Sequence, residues 1–526
     1  MRRLLLANLC ALGVALGFAA PAAAQPARTL TIGMGGVPTG YDPHFHSTNN
    51  NNAQLRQIFN ALVDIDTGGR VFGVLAESWR VVDDLTWEFR LRENIRFHDG
   101  TPFSPEDIAF SIARIPTIPN SPGPFTTQVR PVTRVEVVDP RTVRLHTSAP
   151  TPFLDRDFAQ VFILSRRIHA DAQLADFNSG RALVGTGAYR HVALQLGERH
   201  EIVRNPDFWG PRPAWDRVVT RFITNQGARS AALLAGDVDL IDAVPPQDLP
   251  RLTADPRIAV FSADSNTTAF MFPDAARDNP PHITDKGGNP LPRNPLRDLR
   301  VRQAISLAIP RDAIAERLLA GQAVPAEQIA TRVLPDRAGG MPPLPTDLNR
   351  ARALLREAGY PDGFRMTIHG PNGFIVGDAD ILQAVAQALT RIGIETRVEV
   401  LPPATFFTQA TARNFSFFFS TFTANTAAIM LRQVVMTRDA ATGLGAFNRG
   451  HYSSAAVDGP LGEALRTMDE TRRNALTAQA MRAAVEDLAV IPLVYTRVSW
   501  AGQRARVRYD AHPSWFTNAL LASPAE

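Results

Sequence analysis

Hydrophobic and polar positions in the first third of the chain follow the two-residue period of β-strands. The segment Thr29–Met34 predicts a first strand before a loop rich in glycine and proline. Within Leu85–Leu91 apolar residues alternate with charged ones, which predicts a strand with one buried face. The turn Asp139–Arg141 separates the apolar segments 135–138 and 142–145, so we expect a hairpin there.

Further along the chain the spacing changes to the helical period. Ser104, followed by Pro105 and two acidic residues, is typical of a helix start. Apolar residues then recur three and four positions apart in several later segments, and each of these predicts a helix. The clearest such segments are 301–309, which Pro310 ends, 348–358, 381–392 and about 460–488.

Two of these predicted helices end at a glycine. Gly359 and Gly393 stand where a left-handed cap residue belongs. After Gly393 the alternating segment 394–400 predicts a strand, and the apolar segment 490–495 predicts another. This order is typical of mixed sheets covered by helices. We therefore expect an α/β protein of two lobes, with a β-rich addition near the N-terminus and ordered strands that cross between the lobes.

Length and composition are consistent with a large folded protein of more than one domain. The chain has 526 residues, of which 45% are hydrophobic and 20% charged. Its formal net charge is only +4, Lys286 is the only lysine, and no block of like charges occurs. This pattern argues against a nucleic-acid partner.

The first residues resemble a secretory signal peptide. Arg2 and Arg3 precede an apolar stretch, and small residues lead up to Ala24. We expect cleavage after Ala24 and export to the periplasm, by either the general or the twin-arginine route. The only cysteine, Cys10, lies inside this segment, so the mature chain has neither disulfide nor thiol chemistry.

The sequence shows no motif that demands catalysis or a cofactor. Gly33–Gly36 lacks the third glycine of a dinucleotide fingerprint, and the chain has no nucleophile elbow or paired zinc-ligand motif. His44 and His46 could share one face of a strand and bind a metal, or could make ordinary polar contacts. The pair His98–Asp99 precedes a glycine, which favours a tight turn over a catalytic pair.

Ten short segments, in order along the chain, carry a resemblance to a known family. They are Leu75–Trp79, Trp87–Arg92, Phe97–Gly100, Ser104–Ile108, Gly185–Tyr189, Asn205–Gly210, Leu234–Asp239, Asp298–Ala304, Ala353–Tyr360 and Ile491–Leu493. In this pattern the chain resembles the family 5 extracellular solute-binding proteins of ABC importers, the dipeptide, oligopeptide and nickel-binding group. The match is collinear over nearly all of the mature chain.

The resemblance implies a type II periplasmic binding protein with two lobes, a two-strand hinge and an extra N-terminal β-rich subdomain. Lobe I would comprise 25–270 and 491–526, with the subdomain at about 61–180, and lobe II would comprise 271–490. The crossovers would lie near 268–272 and 490–495.

The implied function is capture of a small polar or peptide-like solute in the interlobe cleft. A monomer would close on the solute and deliver it to the permease subunits of an importer in the inner membrane. Three alternatives remain open. They are a nickel-type metal-chelate binder that uses His44 and His46, an exported enzyme without a recognisable motif, and a sensory or chaperone-like binder.

Peptide binders of this family usually carry Trp-x-x-Asp after a strand, and the Asp pairs with the peptide's α-ammonium. Here the corresponding residues are Phe422 and Asn425. Burial of an ammonium group without a counter-charge is costly, so the resemblance favours a ligand without a free amine to be paired at Asn425. Another acid, such as Asp42, could substitute for the missing carboxylate.

The family's cleft position suggests further contacts, each with an ordinary structural alternative. Ser47, Thr48 and Asn49 follow the first strand and could contact ligand or form a surface turn. Asn266 and Thr267 precede the first crossover. Arg432 could pair with an acidic ligand or simply face solvent. Phe406 and Phe407 could line an apolar wall or pack in the core.

Overall fold

The computed structural model describes residues 28–122, 125–372, 374–375, 377–440 and 442–525. The predicted signal peptide, 1–24, and its Cys10 lie outside the described residues. The strands are β1 Thr29–Met34, β2 Val63–Ile65, β3 Val71–Gly73, β4 Ala76–Asp83, β5 Thr86–Leu91, β6 Val132–Asp139, β7 Thr142–Thr147, β8 Tyr189–Gln195, β9 Arg199–Arg204, β10 Arg217–Phe222, β11 Leu240–Ile241, β12 Ile258–Pro273, β13 Ile283–Thr284, β14 Ala323–Pro325, β15 Phe364–Pro371, β16 Ile394–Leu401, β17 Phe417–Thr423, β18 Ile491–Gln503, β19 Val507–Tyr509 and β20 Ala522–Pro524.

Helices alternate with these strands along most of the chain. The α-helices are α1 Asn49–Leu55, α2 Pro105–Arg114, α3 Thr126–Val129, α4 Leu154–Phe158, α5 Arg166–His169, α6 Leu174–Asn178, α7 Gln226–Ala235, α8 Leu249–Ala254, α9 Leu299–Ala308, α10 Arg311–Ala313, α11 Leu348–Glu357, α12 Asp378–Arg391, α13 Pro403–Thr411, α14 Ala427–Val434, α15 Ala455–Ala464 and α16 Glu470–Glu486. A mixed α/β architecture is therefore confirmed.

Most elements predicted from periodicity are present at the expected places. The first strand, the hairpin β6–β7 and the helices α2, α9, α11 and α12 are confirmed. Gly359 and Gly393 both adopt positive φ, as their capping positions require. One prediction is wrong, because the single helix expected at about 460–488 is two helices, α15 and α16. Asp469 causes the break, since its side chain accepts a hydrogen bond from the backbone N–H of Arg472 and starts α16.

One large sheet forms the frame of the molecule. Its strands follow the order β13-β15-β17-β12-β18-β11-β1-β10-β9-β8, with β14 added on β18 and β16 on β15. The long strands β12 and β18 pair antiparallel along nearly their whole lengths and stand between the two halves of this sheet. Their register shifts between Asp264 and Thr268, where the ladder is interrupted. The predicted crossover segments, 268–272 and 490–495, lie at these two strands.

A separate four-stranded antiparallel sheet of order β4-β5-β7-β6 confirms the expected β-rich addition. Trp87, Phe89, Val143 and Leu145 point from its inner face into a core that includes α2 and α4. Since the apolar residues of β5 and β7 occupy alternate positions, one face of the sheet is buried and the other is exposed.

The segment Gly185–Tyr189 packs directly on the backbone that follows α1. The N–H of Gly187 donates to the carbonyl oxygen of Ile58 at 2.8 Å, and the N–H of Tyr189 donates to that of Gln57 at 3.0 Å. A Cβ atom on Gly187 would come within 2.5 Å of both carbonyl oxygens. Glycine is therefore required at this position by a close backbone approach.

Candidate ligand-binding cleft

A cavity of about 720 Å³ lies where the two halves of the large sheet meet. One wall comes from the loop after β1, the loop after β11, the strand β18 and the C-terminal loop. The other comes from the segments before β14 and after β15, the end of β17 and residues 447–449. Its lining residues are Gly36, Ser47, Thr48, Asn49, Asn50, Asp242, Ala243, Val244, Pro246, Leu319, Gln322, Phe374, Ile375, Phe407, Thr421, Phe422, Thr423, Phe447, Arg449, Thr496, Arg497, Val498, Ser499, Trp500, Trp515 and Thr517.

The loop after β1 brings Ser47, Thr48 and Asn49 to the cavity, as the resemblance implied. Thr48 is the cap of the short helix α1, because its hydroxyl oxygen accepts a hydrogen bond from the N–H of Asn51 at 3.3 Å. A Cβ atom on Gly36 would come within 2.0 Å of Asn50, so glycine makes room for that amide side chain.

The carboxylate of Asp242 is buried in the first wall. It accepts hydrogen bonds from the N–H of Gly35 at 2.7 Å and from the hydroxyl of Thr517 at 3.2 Å. The guanidinium of Arg229 lies 3.8 Å away. Burial raises the pKa of Asp242, and the charge of Arg229 opposes that rise. Among the described lining residues Asp242 is the only acid, and its oxygens already have partners within the protein.

Phenylalanines dominate the opposite wall. Phe374 meets Phe407 edge to face with ring centroids 4.9 Å apart, and Phe422 lies 5.0 Å from Phe447. Phe374 and Phe447 remain 43% and 40% exposed, so both rings are available to a ligand. We refer to Phe374, Phe407, Phe422 and Phe447 as the aromatic wall.

Two arginines line the cavity, and their surroundings differ. Arg497 pairs with Asp264, with Nε and Oδ1 2.6 Å apart. The guanidinium of Arg449 instead lies over the rings of Phe407 and Phe447, 5.2 and 5.3 Å from their centroids. Burial, helped by the charge of Arg438, lowers the pKa of Arg449 to about 10. Arg449 therefore remains charged at neutral pH.

The predicted contacts Asn266, Thr267 and Asn425 lie outside the cavity lining. Nδ2 of Asn266 donates to Oδ1 of Asn425 at 3.0 Å and to the hydroxyl of Ser514 at 3.2 Å. The hydroxyls of Thr267 and Thr423 are 2.7 Å apart, so Thr267 supports the wall from behind. Phe422, the aromatic residue of the same predicted motif, does line the cavity.

The other predicted groups have partners elsewhere. Arg432 lies outside the cavity lining, and its charge acts on the half-buried Asp157 of α4. Phe406 belongs to the core, whereas Phe407 lines the cavity. The ring of His98 contacts the carbonyl oxygen of Gly187 at 3.0 Å, consistent with a structural turn.

Asp42 and His44 share Arg114 as a partner, whereas His46 lies apart from them beside Thr39. Arg114 holds Asp42 through two hydrogen bonds of 2.6 and 2.9 Å and also donates to Nδ1 of His44 at 3.2 Å. Nε2 of His44 donates to the carbonyl oxygen of Phe162 at 2.8 Å, whereas the hydroxyl of Thr39 lies 2.8 Å from Nδ1 of His46. Within the described ranges no group of three or more potential metal ligands was found.

Several lining residues were missed by sequence reasoning. Asp242, Arg449, Trp500 and Trp515 come from segments far apart in the chain, and no local motif distinguishes them from structural residues. Trp515 has a φ of 62°, which is unusual for a bulky residue and marks a constrained loop at the cavity. Nε1 of Trp500 donates to the hydroxyl of Thr517 at 2.9 Å, and that hydroxyl donates to Asp242, so hydrogen bonds connect these three lining residues.

Comparison with known proteins agrees with this architecture. A model of the bacterial extracellular solute-binding proteins of family 5 matches residues 70–430. The glutathione-binding protein GsiB of Escherichia coli K12 is 26% identical over 508 residues, which cover 93% of each chain.

Solved structures also superpose over almost the full length. The periplasmic binding protein DppA of Helicobacter pylori, in complex with the peptide STSA, has a TM-score of 0.76 at 21% identity and covers 95% of this chain and 98% of its own. NikZ of Campylobacter jejuni, in complex with Ni(L-His), has a TM-score of 0.76 at 20% identity and covers 95% and 100%. These structures share the mixed α/β fold of this chain.

Proposed function

The chain belongs to the family 5 bacterial extracellular solute-binding proteins, and from this premise we propose that it captures a peptide-like solute in the cleft. It is a binding protein of the ABC-importer type rather than an enzyme. We further propose that it passes the solute to permease subunits in the inner membrane.

The observation that supports this proposal best is the cavity itself. Its volume of about 720 Å³ is within the range of small-molecule sites, and both halves of the sheet contribute walls. A solute between these walls would contact both at once, so it would favour the closed form over the open one. The similarity to GsiB and to peptide-bound DppA supports a peptide-like ligand.

We propose that Ser47, Thr48, Asn49 and Phe422 contact the solute directly. We propose that Asn266, Thr267 and Asn425 influence binding indirectly, through their contacts at the junction between the two halves of the sheet. We propose that Arg432 also acts indirectly, through its charge on Asp157. We still favour a ligand without a free amine. The reason is no longer the missing carboxylate at Asn425 but the lack of an available acid in the cavity lining described here. Asp242, the one acid among the described lining residues, already accepts two hydrogen bonds from the protein.

We propose that the lobes are 25–270 with 491–526 and 271–490, with a subdomain at about 61–180. We propose a monomer in the periplasm, cleaved after Ala24. None of the described helices is long and apolar enough to cross a membrane. N-terminal sequencing of the exported protein should give Gln25 as the first residue, and any later or earlier start contradicts this cleavage.

Thermal unfolding of residues 25–526 tests the function. The panel comprises free tripeptides, their N-acetylated forms, glutathione and Ni(L-His). A ligand at 100 times its dissociation constant adds about 2.7 kcal/mol and raises the melting temperature by a few degrees. Stabilisation by peptides or glutathione, with an unchanged ligand mass after incubation, supports the proposal. Stabilisation by the nickel complex alone would favour the metal-chelate alternative, and no stabilisation by any compound would contradict a peptide-like solute.

A further inference from the structure

Arg449 has an unusual combination of position and partners. It lines the cavity, and its Nε donates to the hydroxyl of Thr411 at 3.3 Å. Its two Nη groups form no hydrogen bond within the part of the chain that the structure describes. A guanidinium has five N–H donors, so most of the donors of Arg449 remain available to a ligand.

The charge of Arg449 also lacks a counter-ion. No carboxylate of the described residues lies within 4 Å of its guanidinium, whereas Arg497 and Arg229 each have one within that distance. Among the described residues, the charge that lowers its pKa is that of another arginine, Arg438. Because the site is half-buried, this positive charge is poorly screened and would favour an anion.

The other charged residues that line the cavity do not neutralise the positive charge of Arg449. Arg497 is neutralised by Asp264. Asp242 lies on the other wall beside Arg229. The unneutralised charge of the cavity is therefore positive and is located at one residue.

Arg449 is held in place by rings. The planar guanidinium lies over Phe407 and Phe447, which fixes its plane while its edge stays free. Next to it the exposed faces of Phe374 and Phe447 offer apolar surface. A single ligand could therefore place an anionic group on the arginine and an adjacent aromatic or branched apolar group on the aromatic wall.

On these grounds we propose that Arg449 binds a carboxylate of the solute, and that the aromatic wall selects solutes with an aromatic or large apolar group beside that carboxylate. The proposal deepens the proposed function, on which it rests, by naming the chemical class of the solute. A planar carboxylate matches the fork of the guanidinium and can accept two parallel hydrogen bonds.

Three probes separate the contribution of the ligand's carboxylate to binding from that of its apolar side chain. They are N-acetylglycylphenylalanine, its C-terminal amide and N-acetylglycylglycine, and their dissociation constants are measured by calorimetry on residues 25–526. We expect the amide to bind at least about tenfold more weakly than the acid, because it loses hydrogen bonds to a charged group. The glycylglycine acid should also bind at least about tenfold more weakly, since it cannot cover the aromatic wall.

The variants R449Q and R397Q provide the matched comparison. Arg397 lies exposed on β16, outside the cavity lining, so R397Q should keep the preference for the acid. R449Q should bind acid and amide equally, and R449K, which keeps the charge without the planar fork, should give an intermediate ratio. Melting temperatures of the unliganded variants show whether each is folded.

The result that overturns the proposal is a ratio of acid to amide affinity in R449Q equal to that of the wild type. Failure of the wild type to bind any of the three probes also overturns it. Failure of this proposal can be distinguished from failure of the proposed function, because stabilisation by other peptides or by glutathione in the thermal panel would leave the proposed function intact. If that panel is negative as well, both fail.

Discussion

The side-chain amide of Asn266 donates a 3.0 Å hydrogen bond to Oδ1 of Asn425. Asn266 lies in β12 at the interruption of its pairing with β18, and Asn425 follows β17 in the second half of the sheet. The same amide of Asn266 also reaches Ser514 in the C-terminal loop. Asn425 therefore acts in the contact between the halves, behind the cavity wall rather than in it.

This placement makes a prediction for N425D. The new carboxylate would still accept the hydrogen bond from Asn266, and residue 425 lies outside the cavity lining. We expect the ratio of affinities for a free and an N-acetylated tripeptide to change by less than about threefold, which is under 1 kcal/mol. Calorimetry on wild type, N425D and N425A measures this ratio. A tenfold gain for the free amine in N425D alone would restore Asn425 as a ligand contact.

The pair Asp42–Arg114 should be a major structural contact. Both side chains are buried, and removal of Asp42 leaves the charge of Arg114 unpaired. D42A should lower the free energy of unfolding by about 3–5 kcal/mol in urea titrations, and the double variant D42A/R114M should recover part of that loss. The exposed pair Arg350–Glu357 is the control, since E357A should cost less than about 1 kcal/mol. Equal effects of D42A and E357A would contradict this assignment.

Asp157 should make stability depend on pH. Burial raises its pKa from 3.8 to about 7, while Arg432 opposes the rise and Asp155 adds to it. A raised pKa means that the folded state favours the protonated acid. Below about pH 4 Asp157 is protonated in both states and does not lower the free energy of unfolding, but as the pH rises to about 7 that free energy falls. The amide of D157N stays neutral at every pH, so the free energy of unfolding of this variant should exceed that of the wild type by up to about 4 kcal/mol at the upper end of that range.

Urea titrations between pH 4 and 8 measure this difference. The control is D171N, which changes an exposed aspartate of the same region and should follow the wild-type curve. A constant difference between D157N and wild type across the range would show that Asp157 titrates normally.

Gly187 should not tolerate a methyl group. The new Cβ would come within 2.5 Å of the backbone of Gln57 and Ile58, which cannot move without disturbing the close packing there. We expect G187A to lose about 1–3 kcal/mol of unfolding free energy in thermal or urea unfolding. G227A is the matched control, because Gly227 is exposed in α7 and the nearest atom to its added Cβ would be 3.5 Å away. There alanine should stabilise by about 0.5–1 kcal/mol, and loss of stability in both variants would argue against the steric explanation.

Sequence periodicity predicted the elements well where local signals are strong. The alternation in β5 and the capped helices α11 and α12 depend on residues close together in the chain, so they could be predicted. The break between α15 and α16 was missed because apolar spacing continues through it, and the capping role of Asp469 is visible only in three dimensions.

The site was predictable only in part. Ser47, Thr48, Asn49 and Phe422 line the cavity, whereas the resemblance gave no sign of Arg449 or Asp242. Whether an arginine is paired depends on which distant segments meet it, as the contrast between Arg449 and Arg497 shows. That information is in the tertiary arrangement and not in local spacing.

The position of β18 has a consequence for the kinetics of folding. This strand comes near the end of the chain, yet it pairs with β11 in the first half of the sheet, and Trp215 donates to the carbonyl oxygen of Ala522, 307 positions away. The first half therefore cannot be completed until the last segment of the chain is present. Such non-local pairing slows folding, so we expect the first half of the sheet to form only after the last segment of the chain has been synthesised.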